Sequence, residues 1–189
     1  MLYSELQCSD AIHKAVERMG FAEMTEIQEK TIPVMMAGYD VIAKAPTGTG
    51  KTFAYGIPIV EHVDPEDESV QAVILAPTRE LAIQITDEIR DLAAFKPGVR
   101  TVCLYGGAPI GRQIDTLKKH PQIVVATPGR LMDHYRHHAL DLSQVTTIVL
   151  DEADEMLNMG FYKDVRGIID LLKSCLLYTS PSPRDRSLS

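Results

Sequence analysis

Two stretches of this 189-residue chain carry residue types suited to phosphate chemistry. The first is Ala45-Pro46-Thr47-Gly48-Thr49-Gly50-Lys51-Thr52. A glycine-rich loop ending in Lys-Thr leaves backbone N–H groups free to wrap an anion at a helix N-terminus. The lysine then reaches the outer phosphates and the threonine hydroxyl sits on Mg²⁺. Thr47, Gly48, Thr49, Gly50, Lys51 and Thr52 are therefore the candidate phosphate cradle, with Ala45 standing where the strict pattern has glycine. The second stretch, Asp151-Glu152-Ala153-Asp154, directly follows the apolar run 145–150. Carboxylates at the end of a buried strand can hold Mg²⁺ and polarise a water. Lys51, Asp151 and Glu152 are the candidate catalytic residues, and Thr52 and Asp151 the candidate metal ligands. Each stretch has a plainer reading by itself: a carboxylate pair behind a strand is often only a helix cap. The pair in this order, with these flanks, points to nucleotide hydrolysis.

Elements must position these residues. The apolar spacing predicts helices over 9–19, capped by Ser9 or Asp10 and stopped at Gly20, and from Thr25 through Met36, where Pro33 disturbs the middle. Residues 41–43 read as a short buried strand leading into the glycine-rich loop, and 52–62 as the helix behind it. Further strands are predicted at 70–76, 99–104, 123–126 and 145–150, with helices at 79–93, 111–119, 130–137 and 164–173. Short apolar strands separated by helices imply βαβ units and a parallel sheet covered on both faces. Residues 64–68, Asp-Pro-Glu-Asp-Glu, make an acidic surface loop.

Composition bounds the function. The apolar fraction of 45% and charged fraction of 24% are those of a soluble globular domain. No apolar run approaches the roughly 20 residues of a membrane span, and no signal-peptide pattern opens the chain. Cys8, Cys103 and Cys175 are too scattered for a disulfide framework or a zinc site, which favours the reducing cytoplasm. Asp133, His134, His137 and His138 read as a solvated helix end rather than a metal site. A net charge of −7 argues against a broad electrostatic grip on nucleic acid. It leaves room for a narrow track of backbone amides and a few arginines. Residues 174–189, rich in serine with Arg184-Asp185-Arg186, have no core face and form an unstructured tail resembling translated sequencing-adapter read-through.

Gly20-Phe21 with Thr25-Glu26-Ile27-Gln28, the loop 45–52, Pro77-Thr78-Arg79-Glu80-Leu81-Ala82, Gly106-Gly107, Thr127-Pro128-Gly129-Arg130 and Asp151-Glu152-Ala153-Asp154 follow a familiar order. The chain resembles the N-terminal RecA-like domain of DEAD-box RNA helicases, bacterial members most of all, over residues 3–173. Met24 departs from the family's usual proline. The resemblance implies a RecA-like P-loop NTPase fold of class α/β, with a Q-motif region over 1–32 and a helicase ATP-binding domain over 33–173. It implies ATP and Mg²⁺ as cofactors, with Tyr3, Phe21 and Gln28 around the adenine. A glutamine amide can pair bidentately with adenine N6 and N7, and guanine carries an acceptor where adenine has its N6 donor. It further implies that Pro77, Thr78, Arg79, Gly106, Gly107, Thr127, Pro128, Gly129 and Arg130 hold an RNA backbone without reading sequence. The family's Ser-Ala-Thr motif and C-terminal RecA-like domain are missing, so unwinding of short duplexes is expected only when that second domain is supplied. The alternatives are a nucleotide- and RNA-binding fragment without turnover, or a DNA helicase of the same superfamily. The glutamine and the Asp-Glu-Ala-Asp spelling weigh against DNA as the preferred substrate.

Overall fold

The computed structural model of the chain describes residues 1–46 and 48–176, the side chains of 173–176 excepted. Thr47, the Cys175 side chain and residues 177–189 of the expected tail lie outside the described residues. A 3₁₀ turn at Tyr3–Glu5 precedes α1 (Asp10–Arg18), α2 (Glu26–Met36) and α3 (Lys51–His62). Four strands then alternate with helices: β1 (Ala72–Leu75), α4 (Arg79–Leu92), β2 (Thr101–Leu104), α5 (Ile110–Leu117), β3 (Ile123–Ala126), α6 (Pro128–Arg136) and β4 (Thr147–Leu150). Two helices close the order, α7 (Ala153–Asn158) and α8 (Tyr162–Leu176). Helix α8 thus runs three residues into the stretch expected to be an unstructured tail.

All four strands are parallel, in the order β2-β3-β1-β4, with Ala72 opposite Ile123 and Thr147, and Thr101 opposite Ile123. Side chains alternate across a strand, and the core divides accordingly. Ala72, Ile74, Ile123 and Val125 face one apolar cluster with Ile12, Ile32, Ile57, Ile85 and Ile89 of helices α1 to α4. Val73, Leu75, Val124 and Ala126 face the other, with Leu131, Met156, Val165 and Ile168 of α6, α7 and α8. Strands β1 and β3 are buried along their whole length. Gln122, fully buried, fastens the other end of the sheet: its Oε1 accepts from Arg100 N at 2.8 Å while its Nε2 donates to Pro65 O and Gly98 O.

Two expectations need correction, the strand at 41–43 and the disturbance at Pro33. Residues 41–43 form no strand; Val41 is 37% exposed and Ile42 fully so. A strand exists only with a ladder partner, and β1 is already flanked by β3 and β4, while no described strand lies on the outer side of β4. For the same reason β4, at the edge of the described sheet, is half-buried at all four positions, although helices pack on both faces of the sheet. Helix α7, six residues long, was not legible from spacing, whereas α2 runs unbroken through Pro33.

Gly56 lets α3 approach α4: a Cβ there would lie 2.9 Å from the Cδ1 atoms of both Ile89 and Leu92. Both contacts are methyl ends, so Gly56→Ala is expected to be tolerated, helix propensity offsetting the crowding. Gly56→Val should cost about 1–3 kcal/mol by overpacking, which urea unfolding of the two variants beside the parent would measure.

Candidate nucleotide and RNA site

Parallel strands place all their C-terminal ends on one edge, and that edge carries the candidate site. Leu104 leads to Gly106-Gly107, Ala126 to Thr127–Arg130, Leu75 to Pro77–Arg79, and Leu150 to Asp151-Glu152. The strand order sets these four segments side by side in that sequence.

The glycine-rich loop reaches its helix through two left-handed glycines, Gly48 (φ 82°) and Gly50 (φ 81°), the latter capping α3. Only glycine adopts this backbone without strain. Lys51 opens α3, where unsatisfied N–H groups and the helix dipole favour an anion. Among the described residues its ammonium has no carboxylate partner.

Helix α2 grips this loop directly. The Thr25 hydroxyl donates to Thr49 O at 2.8 Å, and Gln28 Nε2 donates to Gly50 O at 3.1 Å. Gln28 Oε1 accepts from Thr25 N at 2.9 Å and from the Tyr3 hydroxyl at 2.6 Å. Gln28 is buried, with both oxygen lone pairs used and one N–H left over. Tyr3 is buried as well, its phenol pushed up to about 12 by burial, and its hydroxyl is spent on Gln28. The exposed aromatic here is Phe21, set edge-on against Phe53 at 5.2 Å. A Cβ on Gly50 would meet Gln28 Nε2 at 2.3 Å, so this glycine is required twice over.

At the end of β4, Asp151 is buried and its backbone N donates to Leu75 O at 2.9 Å. Its Oδ2 accepts from the Tyr55 hydroxyl at 2.9 Å. Burial, then the Asp151 carboxylate itself, push the Tyr55 phenol well above its ordinary value and keep it a donor. Glu152 adopts φ 51°, ψ 51° as the cap of α7. A non-glycine residue held there costs on the order of 1–3 kcal/mol, and such strain collects at functional sites. Asp154 is exposed on α7. Thr52 and Asp151 offer only oxygen donors, the set that suits a hard cation such as Mg²⁺.

The three candidate RNA segments are fastened to one another by residues that spacing did not single out. The Arg79 guanidinium lies 4.8 Å over the Tyr105 ring, and Tyr105 O accepts from Gln113 Nε2 at 2.9 Å. Gln113 Oε1 accepts from Arg130 Nη1 at 3.2 Å and from His134 Nε2 at 2.8 Å. Arg130 Nη1 also donates to Ala108 O at 3.0 Å. The Arg130 side chain is only 14% exposed, so it braces the Gly106-Gly107 loop from within. Gly106 and Gly107 face open space, and Pro77, Thr127 and Pro128 are buried at the base of the edge. His134 is fully buried, and His137 Nδ1 is spent on Asp133 O at 2.7 Å. Among the described residues no group of three or more His, Cys, Asp or Glu could hold a metal ion. Cys8, beside His13, is pushed up to about 11 by burial and by Glu61, and is therefore a protonated thiol.

A parallel α/β sheet with a glycine-rich loop at a helix N-terminus and an acidic pair behind a neighbouring strand defines a P-loop nucleotide-binding domain of the RecA-like type. The family model for DEAD/DEAH box helicases matches residues 25–188. The ATP-dependent RNA helicase CshA of Limosilactobacillus reuteri is 56% identical over 169 residues, 89% of this chain and 34% of that protein. The DEAD-box ATP-dependent RNA helicase CshA of Bacillus subtilis is 47% identical, covering 96% of this chain and 37% of that one. Among solved structures, a DEAD box protein from Methanococcus jannaschii superposes with a TM-score of 0.85 at 46% identity, over 90% of this chain and 46% of that chain. The chain belongs to the DEAD/DEAH box helicase family. It spans about a third of the length of the curated relatives it matches.

The buried histidine makes stability depend on pH. Burial, then the Arg130 guanidinium, hold His134 below its ordinary 6.5. The unfolded chain therefore binds more protons than the folded one just below that value, and stability falls as pH drops through 6.5. The fall ends below the folded-state value. The thermal midpoint of the parent is expected to decline between pH 7 and pH 5 more steeply than that of His134→Gln, scanned in parallel by circular dichroism.

Proposed function

We propose that this chain is the nucleotide-binding half of an ATP-dependent RNA helicase, which binds Mg-ATP and one side of an RNA backbone and needs a second RecA-like domain for turnover. The observation that carries the reading is the hydrogen bond from Tyr55, on the helix behind the glycine-rich loop, to Asp151, at the sheet edge where the three candidate RNA segments also emerge. The names of the relatives support it.

In this reading the N–H groups of the first turn of α3 and the Lys51 ammonium hold the phosphates. Thr52 and Asp151 hold Mg²⁺, which when bound neutralises charge on the phosphate oxygens. Glu152 orients a water for in-line attack on the terminal phosphorus and takes its proton. The bond to the bridging oxygen breaks, leaving ADP and phosphate. Gln28 reads adenine through its spare N–H toward N7, and through Oε1 toward the N6 amino group in exchange for Tyr3 or Thr25. Phe21 contacts the base. RNA lies along the Gly106-Gly107 loop, the start of α6 around Thr127–Arg130 and the start of α4 around Pro77–Arg79, with helix N-termini facing its phosphates. The setting is the cytoplasm, and RNA is preferred to DNA through 2′-OH contacts.

Two outcomes follow. Titration with fluorescent ADP and GDP should show tighter binding of the adenine nucleotide, and Gln28→Ala should narrow the ratio, a bidentate pair being worth about 1–3 kcal/mol. Equal affinities in the parent would remove Gln28 from base recognition. Steady-state hydrolysis by the chain alone should be slight and barely stimulated by RNA. An arginine supplied from an opposing domain is worth about 10³–10⁵ in rate, and an open cleft leaves water in the site. Fusing a family C-terminal domain after Lys173 should raise the rate, and Glu152→Gln in the fusion should abolish it. Robust RNA-stimulated turnover by the unfused chain, lost in Glu152→Gln, would overturn the need for a second domain.

A further inference from the structure

The Tyr55 hydroxyl sits at a junction that the mechanism above does not use. Tyr55 is buried on α3 and donates to Asp151 Oδ2 at 2.9 Å across 96 residues of chain. Thr52 lies three residues earlier, on the same face of the helix. Thr52 and Asp151 are the residues assigned to the metal. Among the described residues no donor reaches Asp151 Oδ1, so the phenol takes one carboxylate oxygen and leaves the other open.

We propose that Tyr55 is a positioning residue for the magnesium–nucleotide site: its hydroxyl holds Asp151 to the helix that carries Thr52, and so sets the spacing at which the oxygens of the two residues meet the cation. The inference rests on the reading of Thr52 and Asp151 as metal ligands. A carboxylate held at one oxygen by a buried donor has a fixed plane, whereas one without that donor turns about its terminal torsion. Mg²⁺ requires near-ideal octahedral geometry at short distances, so it is sensitive to that looseness. The nucleotide itself, held by the loop and by Lys51, is much less so. Tyr55 also joins the helix that carries the phosphate loop to the strand that carries the acidic pair. Any shift of α3 relative to β4 therefore changes both ligands together.

The test is the Mg²⁺ dependence of fluorescent ADP binding to the 189-residue chain, titrated from excess chelator upward, for the parent, Tyr55→Phe and Tyr55→Met. Phenylalanine keeps the ring and removes only the hydroxyl; methionine fills the space by a different shape. The expected result is nucleotide affinity without Mg²⁺ within about twofold of the parent, and a Mg²⁺ midpoint raised about tenfold or more, the usual effect of losing a group that orients a metal ligand. A merely structural tyrosine would lower the thermal midpoint and leave the Mg²⁺ midpoint where it was. That outcome in whichever variant is folded overturns the proposal. A parent chain that binds ADP with no response to Mg²⁺ would instead overturn the metal-ligand reading, and this inference with it.

Discussion

Burial of β1 and β3 on both faces is the constraint from which the rest of the molecule follows. Their side chains alternate between two helical layers, so a slip of one residue would exchange the two apolar sets. Val73 and Ile74, like Val124 and Val125, are fully buried on opposite faces, and neither set can be exposed cheaply. A locked register fixes where each strand ends. Because the strands are parallel, all four chemically loaded segments then emerge along one edge. No single hydrogen bond at the site could impose that order.

The two outer strands are treated differently. The outward carbonyls flanking β2 are taken by side chains: Thr101 O accepts from Arg90 at 3.0 Å and Tyr105 O from Gln113 at 2.9 Å. Blunting of this kind keeps an edge from pairing with another chain. Strand β4 has no such covering among the described residues and stays half-buried, although it carries Asp151 at its end. The side chain of Asp151 is therefore secured by Tyr55 from α3 rather than by a neighbouring strand on the far side.

Buried polar side chains act as joints between otherwise separate pieces. Gln28 joins α2 to the glycine-rich loop, Tyr55 joins α3 to β4, and Gln113 joins α5 to α6 and to the strand end at Tyr105. A hydrogen bond of this kind contributes only about 0.5–1.5 kcal/mol net, yet leaving its partner unpaired in the interior costs about 1–3. Their value is thus mainly geometric. Each holds a backbone or carboxylate oxygen where an apolar contact could not. Arg130 shows the principle well: its charge is directed inward onto Ala108 O and Gln113, and what reaches the surface is the loop it supports.

Much of this was legible in the sequence because it is local. Ser9 and Thr25 before helical spacing, Gly20 after the first of these helices, and the glycines at 48 and 50 act through their own backbone, and α1, α2 and α3 are placed accordingly. The four strands of the sheet were visible as short apolar runs, and the motif residues as types in order. Tertiary structure decided whatever needs a partner. Val41 to Ala43 have the composition of a strand but no ladder to join, since pairing is a property of two segments and composition of one. Gln28 gives no local sign of its hold on the glycine-rich loop: its Nε2 donates to Gly50 O while its oxygen accepts from the Tyr3 hydroxyl, partners that only the fold brings together. Tyr55 and Gln113 carry no local signal: one is a helix tyrosine, the other a helix glutamine, until the fold brings an atom 96 residues away, or a histidine 21 away, within 3 Å. The sequence by itself determined which chemistry the chain holds. Folding alone determined which oxygens are already spoken for, because a hydrogen bond is set by distance in space and the chain encodes only distance along itself.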